Sequence, residues 1–418
     1  MIEQKFDVVI ACGGFGTRLI DITKNTPKPL YPIAGKSTIQ RILEELNQFG
    51  LENILITTSY RSEYFVDHVS KLRRHFKQNI EIFIEENPLG ECGSLWILRE
   101  KLADTFVFIN GDLIFSIDFE RFFSYHKRLN SKFTIVTHTS DHPYDSDLVS
   151  CPNGSLIEDI FLKSSFRNNM QHAYLGNSGI SIINKEIINL INPPKEANRS
   201  SVFNHLVKKL FDKKIRIFSY NTTEYIKDMG TPDRFLKVER DLKDKIVSKK
   251  NYNFKQKVLF LDRDNTLISC KKGEYIITLK GVKFIDENIT KIGLISNDFD
   301  FVCLVTNQPQ IAMGLINYSE LDQINSFIIN YCISKGLKID VVTFCPHHPE
   351  KGHPNELGIL KKDCFCRKPN PGLLIEQSFL RNIDLNSSLM IGDSENDYYA
   401  ALNAGCNFKF IKKLTFFY

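Results

Sequence analysis

Two series of short apolar segments, each alternating with longer amphipathic ones, constrain the fold more than any other feature of the sequence. Segments rich in β-branched and aromatic residues favour strands, and longer segments with apolar residues three or four apart favour helices. Such alternation is typical of a mostly parallel sheet covered by helices, so we predict an α/β protein. The predicted strands lie at 6–11, 53–59, 80–86 and 105–112 in the first series, and at 257–264, 301–307, 339–345 and 389–397 in the second.

A polar, lysine-rich segment at 239–257 separates the two series. A chain of 418 residues is long enough for two domains of about 100–200 residues each. We therefore predict one domain over 1–243, a linker over 244–256 and a second domain over 257–418. No internal repeat relates the two series, which indicates a fusion of two unrelated domains.

The charge balance argues against two large classes of partner. The net charge is +5 and is spread along the chain without a long basic stripe, so we expect neither a nucleic-acid nor a membrane partner. No run approaches the roughly 18 apolar residues that span a bilayer. The ten cysteines are mostly scattered, unlike those of an extracellular disulfide framework. We expect a cytoplasmic protein that acts on small molecules, and its oligomeric state stays open.

A glycine-rich turn, ACGGFGTRL at 11–19, follows the first predicted strand. Gly13, Gly14 and Gly16 allow a tight bend, and the free amides of such a turn bind phosphate. The turn lacks the Gly-Lys-Ser/Thr ending of a Walker A loop. It also has Leu19 where a dinucleotide fingerprint has its third glycine. An ordinary strand-to-helix turn remains the alternative for this segment alone.

Three charged residues strengthen the phosphate-binding interpretation. Lys28 lies between two prolines in NTPKPL, in rigid backbone that suits the binding of a polyphosphate. Asp112 ends INGD and Asp228 begins DMGTP. Two carboxylates at strand ends suit a Mg²⁺ ion shared with a nucleotide, although each alone is more often a turn or cap residue.

Together the motifs GGFGTRL, PKPL, NPLGECGSL, NGD, GNSGI and DMGTP resemble those of the sugar-1-phosphate nucleotidyltransferases, over about 5–240. The resemblance implies a Rossmann-like sheet of the glycosyltransferase-A kind. It departs from the family at Leu162, where glutamate is frequent, and at Glu91 and Cys92. By position it implies that the nucleotide is bound by Gly13, Gly14, Gly16, Thr17 and Gly90. It implies that Arg18 and Lys28 bind the triphosphate and that Asp112 and Asp228 bind Mg²⁺. On the sugar side, it implies that Lys163 binds the sugar phosphate and that Asn177 binds the sugar.

A second pattern, VLFLDRDNTLI, opens the second series. Residues two apart on an extended strand point the same way, so Asp262 and Asp264 can face one centre. With LVTNQ, CRKPNPG and GDSEND in order, the region over about 257–418 resembles the haloacid dehalogenase (HAD) superfamily. Asn265 replaces the usual glycine, and we expect it to adopt a positive φ.

The second resemblance implies phosphatase chemistry with a Rossmannoid fold. Asp262 would be the nucleophile and Asp264 the general acid and base. By position it implies that Thr306, Asn307 and Lys368 bind the phosphoryl group, that Arg367 contacts the substrate, and that Asp262, Asp264 and Asp393 bind Mg²⁺, with Asp397 in a supporting role.

A cysteine and histidine cluster precedes the phosphate-binding lysine. Cys345, His347, Cys364 and Cys366 form a Cys₃His set typical of structural zinc, with His348 as the competing histidine. Buried free thiols are the alternative.

This combination resembles the heptose bisphosphate phosphatases and the related histidinol phosphatases. It implies a bifunctional enzyme of surface polysaccharide synthesis that removes the 7-phosphate of D-glycero-D-manno-heptose 1,7-bisphosphate and then makes GDP-heptose from heptose 1-phosphate and GTP. The alternatives are a mannose-1-phosphate guanylyltransferase or another nucleotide-sugar pyrophosphorylase, a histidinol-phosphatase-like second domain, and a catalytically silent nucleotide-sugar sensor.

Overall fold

Strands and helices alternate along both parts of the chain, and the predicted α/β class is confirmed. In the computed structural model the chain divides into two units, one formed by 1–137, 155–157 and 177–251 and the other by 138–154, 158–176 and 252–418. The structure describes residues 5–14, 19–24, 26–140, 145–163, 173–194, 201–271 and 273–414.

The strands follow the apolar segments of the sequence. The described strands, numbered along the chain, are β1 (Phe6–Ala11), β2 (Pro32–Ile33), β3 (Lys36–Ser37), β4 (Asn53–Thr58), β5 (Asn79–Ile84), β6 (Leu102–Asn110), β7 (Leu113–Ser116), β8 (Phe133–Thr139), β9 (Leu148–Ser150), β10 (Asp159–Phe161), β11 (Leu175–Asn184), β12 (Phe218–Asn221), β13 (Tyr225–Asp228), β14 (Val258–Leu261), β15 (Phe301–Asn307), β16 (Val341–Cys345), β17 (Leu389–Gly392) and β18 (Asn407–Phe410).

The helices cover the amphipathic segments between the strands. The segment between β5 and β6 contains a short α-helix, because β6 begins at Leu102. The described α-helices are α1 (Ile20–Thr23), α2 (Thr38–Gln48), α3 (Ser62–Leu72), α4 (Ser94–Leu98), α5 (Phe119–Arg128), α6 (Lys208–Asp212), α7 (Pro232–Lys243), α8 (Ile246–Lys249), α9 (Asp286–Ser296), α10 (Tyr318–Ser334), α11 (Gly372–Leu380) and α12 (Glu395–Ala404).

Strand β1 lies at the centre of the first unit. It pairs in parallel with β4 on one side and with β6 on the other, and β5 continues the parallel sheet beyond β4. The chain therefore turns to opposite sides of β1, which opens a crevice at the carboxyl ends of these strands. Helix α2 covers this sheet; the Ser37 hydroxyl caps it by accepting from the Gln40 amide at 3.2 Å. Its inward face buries Ile39, Ile42, Leu43 and Leu46.

The C-terminal sheet of the second unit is parallel throughout, in the order β16-β15-β14-β17-β18. Strand β14 lies in the middle, and its four residues are all buried. The chain leaves β14 for β15 on one side and later returns to β17 on the other. This arrangement also creates a crevice at the carboxyl ends of the strands.

Residues 138–154 and 158–176 group with the second unit, although the sequence analysis places them in the first domain. The Thr139 hydroxyl donates to the Asp340 carbonyl at 2.9 Å. The Ser150 hydroxyl donates to the Asp322 carboxylate on α10. These hydrogen bonds attach β9 and the chain before it to the same body as β14–β18.

None of the helices in the described part of the chain is both long enough and apolar enough to cross a membrane.

Gly111 provides a test of the packing between β1 and the turn after β6. A Cβ atom at this position would lie 2.3 Å from the Cys12 sulfur and 2.9 Å from the Ala11 carbonyl oxygen. We expect Gly111→Ala to lower the free energy of unfolding by about 1–3 kcal/mol, because backbone has to move. Gly14→Ala is the matched control, since a Cβ there meets no atom of the described residues within 4 Å. Equal unfolding curves for the two variants, measured without ligand, would contradict the packing argument.

Candidate active sites

The carboxyl ends of β1 and β6 bring the glycine turn and Asp112 to the same edge of the sheet. Ala11, which ends β1, is paired with Asn110, which ends β6. The Gly111 amide donates to the Ala11 carbonyl at 2.9 Å and fixes the turn that leads to Asp112. The turn that starts at Gly13 therefore begins beside Asp112, the carboxylate that the sequence analysis predicts as a Mg²⁺ ligand.

Lys28 forms an ion pair with Asp112. The backbone around Lys28 is a short 3₁₀ turn, Lys28–Leu30, that follows Pro27. The Lys28 Nζ lies 2.6 Å from Asp112 Oδ2, with the lysine side chain 9% exposed and the aspartate 37% exposed. A fixed cation and a solvent-facing carboxylate thus lie side by side, as a site for a polyphosphate and its counter-ion requires.

Asp228 lies next to this pair because β13 is antiparallel to β7. Asp228 is opposite Leu113, the residue that follows Asp112. Arg234 Nη1 donates to both Asp228 oxygens, at 3.0 and 2.9 Å, and the Gly230 amide donates at 2.6 Å. Burial disfavours the charged carboxylate, but Arg234 and Gly230 hold the pKa of Asp228 below its usual value. The structure therefore places both predicted magnesium ligands at one edge.

Glu85 is a buried carboxylate beside the glycine turn that the sequence analysis did not single out. It is 4% exposed, and a Cβ on Gly13 would lie 3.6 Å from its Oε2. The Leu89 amide donates to Oε2 at 3.0 Å, whereas Oε1 has no hydrogen-bond partner among the described residues. Burial raises the pKa of Glu85. The only signal in the sequence was an acid at the end of an apolar strand, which a surface turn also explains.

Asn177 lines a small cavity of about 10 Å³ in the first unit, room for about one water molecule. Its Oδ1 accepts from the Gly179 amide at 3.3 Å. Glu91 and Ser181 also line the cavity, and apolar side chains, including Phe108 and Phe203, form most of the wall. The wall therefore mixes polar and apolar side chains.

The remaining predicted site residues of the first half are Gly90, Lys163 and three residues of the glycine-rich turn. Gly90 has a φ of +72°, a conformation that other residues rarely adopt. Lys163 is exposed and belongs to the second unit, where its amide donates to Asp147 Oδ1 at 2.7 Å. Three predicted nucleotide-site residues lie outside the described part of the chain: Gly16, Thr17 and Arg18.

In the second unit, a buried lysine joins residues from different strand ends. Lys368 is 4% exposed. Its Nζ lies 2.5 Å from Asp262 Oδ1, 2.6 Å from Asp397 Oδ1 and 2.8 Å from the Val305 carbonyl oxygen. Although burial disfavours its charge, the two carboxylates raise the pKa of Lys368. The ammonium is therefore a permanent positive charge at the predicted nucleophile.

Three carboxylates surround this single ammonium. Asp262, Asp393 and Asp397 each have an oxygen within 4.8 Å of the others. Burial, followed by the nearby Asp397 and Asp264, raises the pKa of Asp262 to about 8, while Lys368 acts in the opposite direction. Burial and Asp397 also raise the pKa of Asp393. An oxygen-only set with excess negative charge fits a Mg²⁺ ion.

Asp397, to which the sequence analysis assigned only a supporting role, makes several hydrogen bonds in the structure. It lies in the first turn of α12, where its Oδ2 accepts from the amide and hydroxyl of Ser394 at 3.1 and 2.6 Å. Gly392 at the end of β17 leaves room for it, because a Cβ there would lie 2.5 Å from the Asp397 carboxylate. Asp397 is thus fixed between the helix start and Lys368.

Asp264 is not a member of the three-carboxylate group in the described structure. Its carboxylate accepts instead from Arg263 and from Gln308 Nε2, the latter at 3.0 Å. The turn that follows Asp264 conforms to expectation: Asn265 has a φ of +58°, so the predicted positive φ is confirmed.

Thr306 and Asn307, at the end of β15, have distinct contacts. Thr306 Oγ1 accepts from Gln308 Nε2 at 2.8 Å. The Asn307 side chain donates to the Lys368 carbonyl at 2.9 Å and accepts from the Lys368 amide at 3.0 Å. Asn307 therefore fixes the backbone that carries the buried lysine.

The predicted Cys₃His set is assembled in the second unit. The Cys345 sulfur lies 3.5 Å from that of Cys364 and 3.3 Å from that of Cys366, and His347 Nδ1 lies 3.3 Å from the Cys366 sulfur. Ligands about 2.0–2.3 Å from a tetrahedral ion are about 3.3–3.8 Å apart, so the set fits one metal ion. The hydrogen bond between Cys345 and Cys366 lowers the pKa of the Cys366 thiol and raises that of the Cys345 thiol.

The structure distinguishes the two candidate histidines. His347 belongs to the cluster, whereas His348 Nδ1 lies 3.3 Å from the Glu350 carbonyl oxygen. Arg367, predicted to contact substrate, donates from Nη1 to the His347 carbonyl at 3.2 Å. The cluster and the chain before Lys368 are therefore directly connected.

Comparisons with known proteins agree with these two sites. A family model described as nucleotidyl transferase matches residues 7–245. This is more than half of the chain, and the chain belongs to that family. A second model, HAD-hydrolase-like, matches residues 365–413. The chain thus combines a nucleotidyltransferase domain with a C-terminal HAD-like domain.

Two curated relatives resemble the N-terminal part. The mannose-1-phosphate guanyltransferase of Schizosaccharomyces pombe is 32% identical over 234 residues, 54% of this chain and 62% of that protein. The bifunctional protein GlmU of Methanocaldococcus jannaschii is 31% identical over 278 residues, 65% of this chain and 60% of that protein. The chain therefore spans about three-fifths of the length of these relatives.

A solved structure supports the fold of the first half. The crystal structure of a putative glucose-1-phosphate thymidylyltransferase from Bacillus anthracis has a TM-score of 0.50 and 21% identity, and the match covers 57% of this chain and 94% of that one. This similarity concerns the fold alone.

Proposed function

We propose that the protein carries out two consecutive steps of nucleotide-sugar synthesis in the cytoplasm. The phosphatase half removes the 7-phosphate of D-glycero-D-manno-heptose 1,7-bisphosphate. The transferase half then joins heptose 1-phosphate to GTP, giving GDP-heptose for surface polysaccharide synthesis and pyrophosphate. The observation that carries the proposal is the Lys368–Asp262 pair beside the Cys₃His set, in the same chain as a nucleotidyltransferase turn.

The transferase step needs little protein chemistry. An oxygen of the sugar 1-phosphate attacks the α-phosphorus of the triphosphate, the bond to the bridging oxygen of the β-phosphate breaks, and pyrophosphate leaves. The attacking oxygen is already ionised, so positioning and charge neutralisation suffice. Lys28, which pairs with Asp112, would bind the polyphosphate, and Mg²⁺ held by Asp112 and Asp228 would neutralise phosphate charge. On the sugar side, we assign the sugar to Asn177.

Glu85 supports guanine as the base. Guanine presents two adjacent donors on its Watson–Crick edge, N1–H and N2–H₂, and a carboxylate is the acceptor that matches both. Glu85 lies beside the glycine turn and has one buried oxygen without a hydrogen-bond partner among the described residues. The guanyltransferase name of the fission yeast relative agrees with this base.

The phosphatase step uses the second crevice. The Asp262 carboxylate attacks phosphorus, the bond from phosphorus to the sugar oxygen breaks, and Asp264 gives a proton to the departing alkoxide. Water then attacks the phosphoaspartate, Asp264 takes the proton, and phosphate leaves. Lys368 and Thr306 would bind the phosphoryl oxygens, and Asp262 and Asp393 would hold Mg²⁺ with Asp397.

A second candidate function follows from one comparison. The fission yeast relative is named for mannose 1-phosphate, which would make this chain a mannose-1-phosphate guanylyltransferase fused to a phosphatase of another specificity, such as a histidinol phosphatase. The two candidates differ in the sugar, so the substrate test below separates them.

The proposal predicts a coupled product balance. The intact chain with heptose 1,7-bisphosphate, GTP and Mg²⁺ should give GDP-heptose with one phosphate and one pyrophosphate. Asp262→Asn should reduce phosphate release by roughly 10³-fold or more because the nucleophile is lost, yet still convert heptose 1-phosphate. Asp112→Ala should do the reverse, so each variant is the control for the other. A GDP-sugar from mannose 1-phosphate, with none from any heptose bisphosphate, would overturn the heptose assignment.

A second prediction tests the base. Glu85→Gln replaces an acceptor pair by one donor and one acceptor, so guanine loses a hydrogen bond while uracil can gain one. We expect the ratio of kcat/KM for GTP to that for UTP to fall by about 5- to 150-fold, the effect of roughly 1–3 kcal/mol. Glu86→Gln is the matched control, because Glu86 is the neighbouring exposed glutamate. An unchanged ratio in Glu85→Gln would exclude Glu85 as the base contact.

A third prediction concerns the Cys₃His set. We propose that it holds one structural zinc ion, which orders the chain before Lys368 and takes no part in the chemistry because protein atoms fill all four positions. His347→Ala should reduce the zinc content, measured by mass spectrometry of the native protein. His348→Ala should retain the metal. Loss of zinc from the second variant alone would reverse the ligand assignment.

A further inference from the structure

A buried arginine, Arg263, lies between the two aspartates of the proposed phosphatase site and is 1% exposed. Alternation along an extended strand would direct it away from Asp262 and Asp264. Its guanidinium instead folds back onto Asp264: Nε and Nη2 donate to Oδ1 at 3.3 and 3.0 Å, and Nη2 donates to Oδ2 at 3.1 Å. A buried charge requires such a partner, because leaving it unpaired is strongly destabilising.

A second contact fixes the far side of the guanidinium. Arg263 Nη1 donates to Asn325 Oδ1 at 3.1 Å. Asn325 lies on α10 and is 2% exposed. Because the guanidinium is planar and rigid, contacts on two sides determine its orientation, which a lysine ammonium would not reproduce.

The Asp264 carboxylate is also held from another direction. Gln308 Nε2 donates to Asp264 Oδ2 at 3.0 Å, and Gln310 Nε2 in turn donates to Gln308 Oε1. Both glutamines are buried. Arg263 and Gln308 together therefore fix both oxygens of a side chain that is itself 27% exposed.

We propose that Arg263, oriented by Asn325, is the positioning residue for Asp264. It determines where the carboxylate points, and this proposal rests on the proposed phosphatase function, in which Asp264 acts as acid and then as base. Without Arg263 the nucleophile Asp262 remains in place with Lys368. Water that attacks the phosphoaspartate then lacks a correctly directed base, so the second half of the reaction suffers most.

The test uses p-nitrophenyl phosphate, whose leaving group departs as a stable anion without a proton from the protein. Formation of the Asp262–phosphorus bond then does not depend on Asp264, whereas hydrolysis of that bond does. For Arg263→Lys we expect a retained burst of one p-nitrophenol per chain, followed by turnover slower by about 10²-fold. Intact-mass measurement should show the phosphorylated chain accumulating. Asp264→Asn should give the same pattern.

Three further variants separate positioning from folding. Asn325→Leu removes only the contact on α10 and should also retain the burst and slow turnover, so it tests the proposal if Arg263→Lys does not fold. Asn325→Asp keeps an acceptor oxygen and should restore wild-type kinetics. Arg381→Lys changes another buried arginine of the same unit, hydrogen-bonded to Gln377, and should leave both phases unchanged.

The outcomes distinguish this proposal from the function on which it rests. Wild-type turnover in both Arg263→Lys and Asn325→Leu would overturn the positioning role. An equal loss of the p-nitrophenol burst and of the turnover rate would also overturn the positioning role, because it indicates general damage to the site. A wild-type protein that forms no phosphoenzyme and hydrolyses no phosphomonoester would refute the phosphatase function itself.

Discussion

Both sites depend on a central strand that pairs in parallel with neighbours on each side. In the first unit β1 lies between β4 and β6, and in the second β14 lies between β15 and β17. Parallel strands end at a common edge, and chain connections that leave on opposite sides open a crevice there. The direction of the backbone thus brings Asp112 to the glycine turn, and Asp262 to the ends of β15 and β17, before any side chain makes a contact.

In each crevice cationic side chains orient carboxylates, and in the second unit the carboxylates outnumber the lysine that holds them. Lys28 and Arg234 orient Asp112 and Asp228 in the first unit. In the second, Lys368 contacts two carboxylates and a third lies within reach. Buried carboxylates with partial compensation are costly to leave without a further cation. The sites are therefore suited to phosphate esters that arrive with a divalent ion.

The sequence predicted those residues whose positions follow from backbone geometry. Asp262 comes directly after a buried strand, so its place at the strand end follows from the strand itself. The two cysteines of CFC are two residues apart in the sequence, so they are also close in space. Arg263 could not be predicted, because alternation directs it away from the site and only the three-dimensional structure shows its guanidinium folding back. Glu85 was missed for a related reason: the burial of its carboxylate depends on the chain around the glycine turn. Asn265 was predictable because a single dihedral angle determines its conformation.

The membership of residues 138–154 and 158–176 in the second unit has a consequence for the evolution of this chain. These residues precede the predicted linker at 244–256, yet they group with the part of the chain that follows it. A gene cut at the linker would therefore separate Ser150 and Tyr174 from helix α10 and the core that they contact. Each fragment would expose a surface that the intact chain covers. Recombination that exchanges either half for a homologous one would have to preserve this segment together with α10. Because both halves depend on this segment, they would have to be inherited together.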